Sequence, residues 1–495
     1  MKKLLISALI AGLPGVAMAD AKGDEIAKLK AQLEALQAQM QQLQQAVNAA
    51  TAAKAPEADD ANTELKQRVA GMELKVDKLT TDASEGPIAG LSVTGYLDPT
   101  YLYNRSTKGS GFQFVNHSNQ YAYTNSTFGD VYLDIKKTFG VGPLAPSAEI
   151  SILPNRGSGN TLLQSSSSSG GSNNGSGSTG LGNIINTAVI TYPLSDTTQL
   201  VAGLMSSFGG YEVQQSNQMN TITHGLLYDF SDPGSYVGAG FNWSHDVWAT
   251  KFMIANEQYH TNANLTNGKS NNTPTVTGRV DYTWSSALDI GASANAGRQT
   301  LPGKDANATG TGYGYQGNAT SPYSNYYFAE LDATYTMTDG VLNAELDYGR
   351  QKQAAWNGED AVWYGFSLLA HQKWTSELFG RMGATLRYDY LNDSKNGGGG
   401  GGIALSSGTG YGGVDGTNGF GISQACFSNS SVNGSDCSGA SRQALTAALL
   451  FYPTDQLTLK MEYRHDWANR DVFLRNDGSY RKSNDVIAAQ AVYSF

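Results

Sequence analysis

Apolar positions recur along this chain with two different periods, and the change from one to the other divides it. Between residues 24 and 85 they are spaced alternately by three and four. Ile26, Leu29, Leu33, Leu36, Met40, Leu43 and Val47 form an unbroken a/d heptad seam, with Ala, Gln, Lys and Glu filling most of the remaining positions. So narrow a stripe has to be buried against copies of the same helix, which predicts an α-helical coiled coil rather than a helix lying on a membrane surface. A second seam of Leu65, Val69, Met72, Val76 and Leu79 follows, out of register with the first. The break falls in AATAAKAPEADDA, where Pro56 cannot continue a helix. Together the two segments read as a spacer and an oligomerisation device.

From Leu91 onward the period is two. In VYLDIKK, Val131, Leu133 and Ile135 alternate with Tyr132, Asp134 and Lys136; in VLNAELDYGR, Leu342, Ala344, Leu346 and Tyr348 alternate with Asn343, Glu345, Asp347 and Gly349. The segment LTLKMEYRHDW repeats the pattern with Leu457, Leu459, Met461 and Tyr463 on one face and Lys460, Glu462, Arg464 and Asp466 on the other. About sixteen such runs can be marked, most of them about 11 to 13 residues long, which exceeds ordinary soluble strands and suits a tilted strand crossing a bilayer. Their connections alternate in kind. Tight turns such as PLSDT, SHD, TDG and PTDQ lie between long loops rich in Gly, Ser and Asn, near residues 105–125, 156–182, 209–232, 259–273, 299–324, 353–360, 392–440 and 469–483. An even strand number with short turns at one end and long loops at the other is the plan of a bacterial outer-membrane barrel. The predicted fold class is therefore all-β: an antiparallel transmembrane β-barrel of about 16 strands over residues 91–495, preceded by the coiled coil at 24–85.

The closing segment IAAQAVYSF sets Ile487, Ala489, Ala491, Tyr493 and Phe495 on one apolar face. In lipid every backbone amide must be paired, so this strand is expected to join the first and seal the sheet. The chain opens with MKKLLISALIAGLPGVAMA: two lysines, an apolar run too short to span a bilayer, and small residues at Ala17 and Ala19. These predict a signal peptide over residues 1–19 and export.

Composition then narrows the function. Only 15% of residues are charged and the formal net charge is −10, with no clustered basic patch, which argues against nucleic acid as a partner. The two cysteines, Cys426 and Cys437, lie close together in a Gly/Ser/Asn-rich stretch, and in an oxidising compartment they are candidates for a loop disulfide. The six histidines occur in no catalytic or metal-binding spacing and no nucleophile elbow surrounds the serines at 165–169, so neither an enzyme nor a cofactor or metal is expected.

The order of signal, coiled coil and barrel resembles that of trimeric porins of the Gram-negative outer membrane. The third long loop, FGGYEVQQSNQMNTITHGLLYDFSDPG, is similar to the corresponding region of the OmpL-like β-barrel porin type, at Gly210, Tyr211, Glu212, Asn220, Thr223, His224, Leu226, Leu227 and Pro233. His224 stands where arginine is expected. The resemblance implies a homotrimer in the outer membrane with coiled coil and C-terminus in the periplasm, and a third loop folded into the lumen. Its implied partners are membrane lipids, lipopolysaccharide, small hydrophilic solutes and the outer-membrane assembly machinery, which recognises a terminal strand ending like Tyr493 and Phe495. A barrel of this size leaves a water-filled channel, so passive diffusion is the expected activity. The expected pore-lining and constriction residues are Tyr211, Glu212, His224, Arg279, Asp281, Glu330, Asp332, Glu345, Asp347, Arg381, Arg387, Lys460, Glu462 and Arg464. Over the whole inward face eight basic side chains meet twelve acidic ones, a weak lean toward cations. The competing reading is a structural tether or adhesin, in which the coiled coil links the outer membrane to the cell wall.

Overall fold

The computed structural model describes residues 89–114, 129–153, 185–256, 265–266, 269–270, 273–300, 323–354, 359–395, 439–477 and 479–495. The predicted signal peptide and coiled coil, and both cysteines, lie outside the described residues. The barrel unit comprises Ser92–Lys136 and Val141–Phe495.

Its strands in chain order are β1 (Leu91–Leu97), β2 (Thr100–Asn104), β3 (Gly109–Gln113), β4 (Val131–Thr138), β5 (Ser147–Ile152), β6 (Ile185–Pro193), β7 (Thr198–Ser206), β8 (Ser235–His245) and β9 (Trp248–Ala255). After a small ribbon, β10 (Leu265–Thr266) with β11 (Lys269–Ser270), come β12 (Thr275–Thr283), β13 (Leu288–Thr300), β14 (Tyr323–Met337), β15 (Gly340–Gln351), β16 (Ala361–Ser376) and β17 (Gly380–Lys395). The last are β18 (Ser441–Phe451), β19 (Leu457–Ala468), a second ribbon of β20 (Phe473–Leu474) and β21 (Tyr480–Arg481), and β22 (Ser483–Ser494). Between β7 and β8 lie a 3-10 turn, Ser216–Gln218, and a helical turn and a half, α1 (Leu226–Phe230).

Eighteen of these strands form one sheet, and it closes. β1 with β2, and β3 with β4, are two interrupted staves, the first broken at Asp98-Pro99, so the barrel has 16 antiparallel staves. β3 falls inside the stretch that alternation assigned to a loop at 105–125: its sequence, GSGFQ, carries too few apolar residues to show a face. Closure is made by β22, which pairs with β19 on one side and with β1 and β2 on the other. At the seam Gly95 and Phe495 exchange backbone hydrogen bonds of 2.9 and 3.0 Å. A Cβ on residue 95 would stand 2.8 Å from the Phe495 ring and against the Tyr132 carbonyl, so glycine is what lets the ring lie there.

The two faces of the wall are sorted as alternation requires. Leu331, Leu346, Leu368, Leu386, Met461 and Ile487 stand on the outside with their side chains uncovered, while Glu330, Glu345, Ser367, Arg387, Glu462 and Ala488 on the same strands are buried inside. An uncovered apolar belt around a sheet with no free edge is stable in hydrocarbon, where it needs no cover, and costly in water. This inverts the sorting of a soluble protein, and the charges go inward.

Candidate functional site

The inward charges are segregated around the lumen. On β12 to β15 the residues of one face are mainly acidic: Asp281, Glu330, Asp332, Glu345 and Asp347. The register sets Glu330 opposite Asp347 and Asp332 opposite Glu345 across β14 and β15. Like charges directly opposite destabilise a strand pair unless something compensates them. Arg279 on β12 compensates part of this group. Its guanidinium lies 2.7 Å from Asp281, 2.6 Å from Asp332 and 3.4 Å from Glu330. It reaches β14 by passing over Gly291 on β13, where any Cβ would meet the guanidinium.

Around the wall, β17 to β19 carry the opposite sign: Arg387, Arg442, Lys460 and Arg464, all buried. Each has an acidic neighbour on its own side. Arg387 Nε donates to Asp389 at 3.0 Å, and both Arg442 and Arg464 donate to Asp466. Arg442 is also held between the faces of Phe230 and Phe473, each 5.3 Å from its guanidinium carbon.

The segment joining β7 to β8, residues 207–234, reaches all of these walls. Near its root the Phe208 carbonyl accepts from Arg279 and the Tyr211 amide donates to Glu345 at 3.1 Å. The Tyr211 hydroxyl lies 2.8 Å from Ser367 Oγ, which itself donates to Asp389. Glu212 accepts from Arg387 Nη1 at 2.8 Å and from the Gly225 amide at 2.6 Å. Further on, Lys460 Nζ donates to the carbonyls of Ser216, Met219 and Thr221 at 2.6, 2.8 and 3.0 Å, which uses every hydrogen of the ammonium. Glu462 accepts from the amides of Ile222 and Thr223 and from the Thr223 hydroxyl, and Arg464 donates to the His224 carbonyl at 2.6 Å. The loop is therefore a cross-brace. It hangs from β7 and β8 and is fastened to β12 and β15 by its limbs and to β17 and β19 by its tip.

Such a loop needs little regular structure because the wall supplies most of what a longer helix or a strand would supply. Its amides and carbonyls find charged side chains, and burying them unpaired would be costly. The apolar remainder packs too: Leu226, Leu227 and Phe230 of α1 bury against Phe328, Trp363, Leu391 and Ala444, and Ile222 packs with Leu102, Val472, Phe473, Val486 and Ala488. His224 donates from Nε2 to the Val213 carbonyl at 2.7 Å and stacks on Tyr228. Burial pushes its imidazole down to about 4, so the ring is neutral at pH 7.

Of the residues singled out from the sequence, Tyr211, Glu212 and His224 meet Arg279, Glu345, Arg387, Lys460, Glu462 and Arg464 in this one network, with Asp281, Glu330, Asp332 and Asp347 on the acidic side. Arg381 stands apart: it sits at the turn end of β17, more than half exposed, and pairs with Asp455 at 2.8 Å. Sequence reasoning passed over Asp98, Ser216 and Asp232. The first is fully buried, accepts from Ser216 Oγ at 2.5 Å and from Gln490 at 3.1 Å, and so anchors the loop to the seam. Both aspartates precede a proline, in YLDPT and FSDPG, and an Asp-Pro pair at a strand boundary was the available signal. The Asp232, Glu345 and Asp347 carboxylates each place an oxygen within 4.8 Å of the others.

The sequence matches the family described as "Protein of unknown function (DUF3138)" over residues 1–58 and 52–495. No curated protein matches. Among solved structures, the anion-selective porin from Comamonas acidovorans is similar at 9% identity and a TM-score of 0.49, over 82% of this chain and 99% of that one. The outer membrane channel DcaP of Acinetobacter baumannii is similar at 12% identity and 0.46, over 82% and 97%. Salmonella typhi OmpF, in a complex with daunomycin, is similar at 11% identity and 0.46, over 82% and 97%.

Proposed function

The chain belongs to the DUF3138 family, and we propose that it is a porin of the bacterial outer membrane, passing small hydrophilic solutes by diffusion through a barrel narrowed by residues 207–234. The observation that carries this reading is the inverted sorting of the wall. A closed 16-strand cylinder with an uncovered apolar exterior and charged interior belongs in a bilayer, and a barrel of that strand number is wide enough for an aqueous path. The loop supplies selectivity. It covers the charges of β17 and β19, whereas Lys136 and Glu149, an ion pair of 3.3 Å on β4 and β5, keep roughly half and a third of their side chains open. Solutes then pass between the loop and the β4–β5 side, and the acidic excess on β12 to β15 biases the field toward cations.

The finer features of this reading follow the sequence. The heptad seams of residues 24–85 make a periplasmic spacer that joins three copies, the likeness of the third loop is to OmpL-like porins, and both the coiled coil and the C-terminus face the periplasm. Tyr493 and Phe495 end the strand read by the assembly machinery. Purified protein added to a planar lipid bilayer should produce discrete ohmic steps whose reversal potential in a salt gradient is cation-leaning. A silent bilayer from correctly folded protein would reject the channel and favour the second reading, a tether whose coiled coil holds the outer membrane to the cell wall.

A further inference from the structure

Asp232, on the loop's return limb, lies against the acidic wall. Glu212, on the outgoing limb, goes to Arg387 on the basic side. Asp232 goes instead to Glu345 and Asp347, which stand two apart on β15 and share its inner face. All three side chains are at least nine-tenths buried. Among the described residues none of the three forms an ion pair, because Arg279, the cation of that wall, is engaged with Asp281, Glu330 and Asp332. Glu345 Oε2 accepts from the Tyr211 amide, but both oxygens of Asp232, both of Asp347 and Oε1 of Glu345 accept no hydrogen bond.

A second observation comes from outside the carboxylates. Ser231 Oγ is fully buried and turned to Asp347, and it makes no well-formed hydrogen bond elsewhere. Three carboxylates and a hydroxyl converge on one enclosed space in which that hydroxyl and the Tyr211 amide are the donors at hand. Isolating that much negative charge from water costs far more than any packing there returns, unless protons or a metal cation neutralise it.

We propose that Asp232, Glu345 and Asp347, with Ser231 beside them, hold a calcium ion that fastens the return limb of the loop to β15. Oxygens sharing one calcium at 2.3–2.6 Å lie no more than about 5 Å apart, which the 4.8 Å spread of this cluster satisfies. The oxygen-only set excludes the ions that prefer nitrogen or sulfur. Calcium rather than magnesium fits because the site is dry and offers flexible carboxylates, whereas magnesium keeps several of its waters. Burial and the facing Asp347 hold the Asp232 carboxyl well above the ordinary carboxylate range, so calcium must displace protons to bind. The sequence carried no metal-ligand spacing because two ligands come from one strand and the third from a loop more than a hundred residues earlier.

The test reads binding on the detergent-solubilised barrel and does not depend on solute passage. After chelator treatment and dialysis, titration calorimetry with calcium chloride should give one ion per chain, with tighter binding at pH 8 than at pH 5. Asp347→Asn should weaken that binding at least tenfold, while Asp289→Asn, an exposed acid on β13, should leave it unchanged. Absence of binding at millimolar calcium, or unchanged affinity in Asp347→Asn, overturns the proposal. Should the variant fail to fold, infrared spectra of the wild type decide the matter. Loss of a protonated-carboxyl band on adding calcium supports the site; a band indifferent to calcium means that shared protons alone hold the three groups together, which overturns it.

Discussion

Arg387 Nη1 on β17 donates to Glu212 Oε1 at 2.8 Å, although Glu212 hangs from β7 on another part of the wall. Both side chains are buried, and the same nitrogen also reaches Thr221 Oγ1 and the Thr223 carbonyl at 2.9 Å. This pair ties the outgoing limb of the cross-brace to the basic wall, and its strength sets how firmly the loop stays inside the barrel. Glu212→Ala leaves Asp389 as the one acid paired with the guanidinium. It should cost about 2 kcal/mol, the worth of a buried hydrogen bond to a charged group. A double-mutant cycle with Arg387→Ala, read from thermal unfolding in detergent, should show the two substitutions to be strongly non-additive.

Lys460 gives the conductance prediction. Its ammonium satisfies three loop carbonyls at once, those of Ser216, Met219 and Thr221. Lys460→Met keeps the length of the side chain and removes every donor. The loop should loosen, and single-channel conductance in a planar bilayer should rise or fluctuate between levels. An unchanged single level would mean that the other anchors hold the loop alone.

His224 predicts a dependence on pH. Its folded value, about 4, lies below the ordinary 6.5 because burial disfavours the imidazolium. A base lowered on folding stabilises the folded loop above its unfolded value, and that contribution is lost as pH falls from about 6.5 toward 4. Thermal stability should therefore decline across that window, and His224→Gln should flatten the decline. Equal slopes in both proteins would assign the effect to other groups.

Orientation of the wall can be tested at Leu346, which points outward between the inward Glu345 and Asp347. Leu346→Arg should cost roughly 2–4 kcal/mol if that position lies near the bilayer midplane. Urea titration in phospholipid vesicles measures it. A neutral outcome would mean that the residue does not face lipid.

At the seam, Gly95→Leu should prevent closure, because the new side chain would occupy the place of the Phe495 ring. The heat-modifiable band that marks a folded barrel on electrophoresis should disappear, whereas Gly111→Ala on β3, where nothing lies within 4 Å, should leave it intact.

The barrel was legible because alternation is a local property. Val341, Leu342 and Asn343 already say that a strand is present and which side faces lipid, and the turn residues at Asp339-Gly340 say where it reverses. The inward charges were legible for the same reason, since Lys460, Glu462 and Arg464 lie opposite Leu459, Met461 and Tyr463. What alternation does not encode is height along the barrel, so Arg381 at the turn end looked the same as Arg387 within the network. Nor does it encode the path of a loop without period, which is why Ser216 and Asp232 were passed over although they fix that path. β3 was hidden because glycine and serine give a strand no side to show.

The seam also dictates an order of assembly. Asp98 and Gln490, which meet across it, are 392 residues apart in the chain. Until β22 finds β1 and β2, each growing ribbon of hairpins presents two raw margins of unpaired amides and carbonyls, ready to annex any neighbouring strand. Contacts so distant form late and slowly. The nascent cylinder must therefore be escorted while it stands ajar, and its vulnerability to aggregation ends at the moment of latching rather than declining stave by stave.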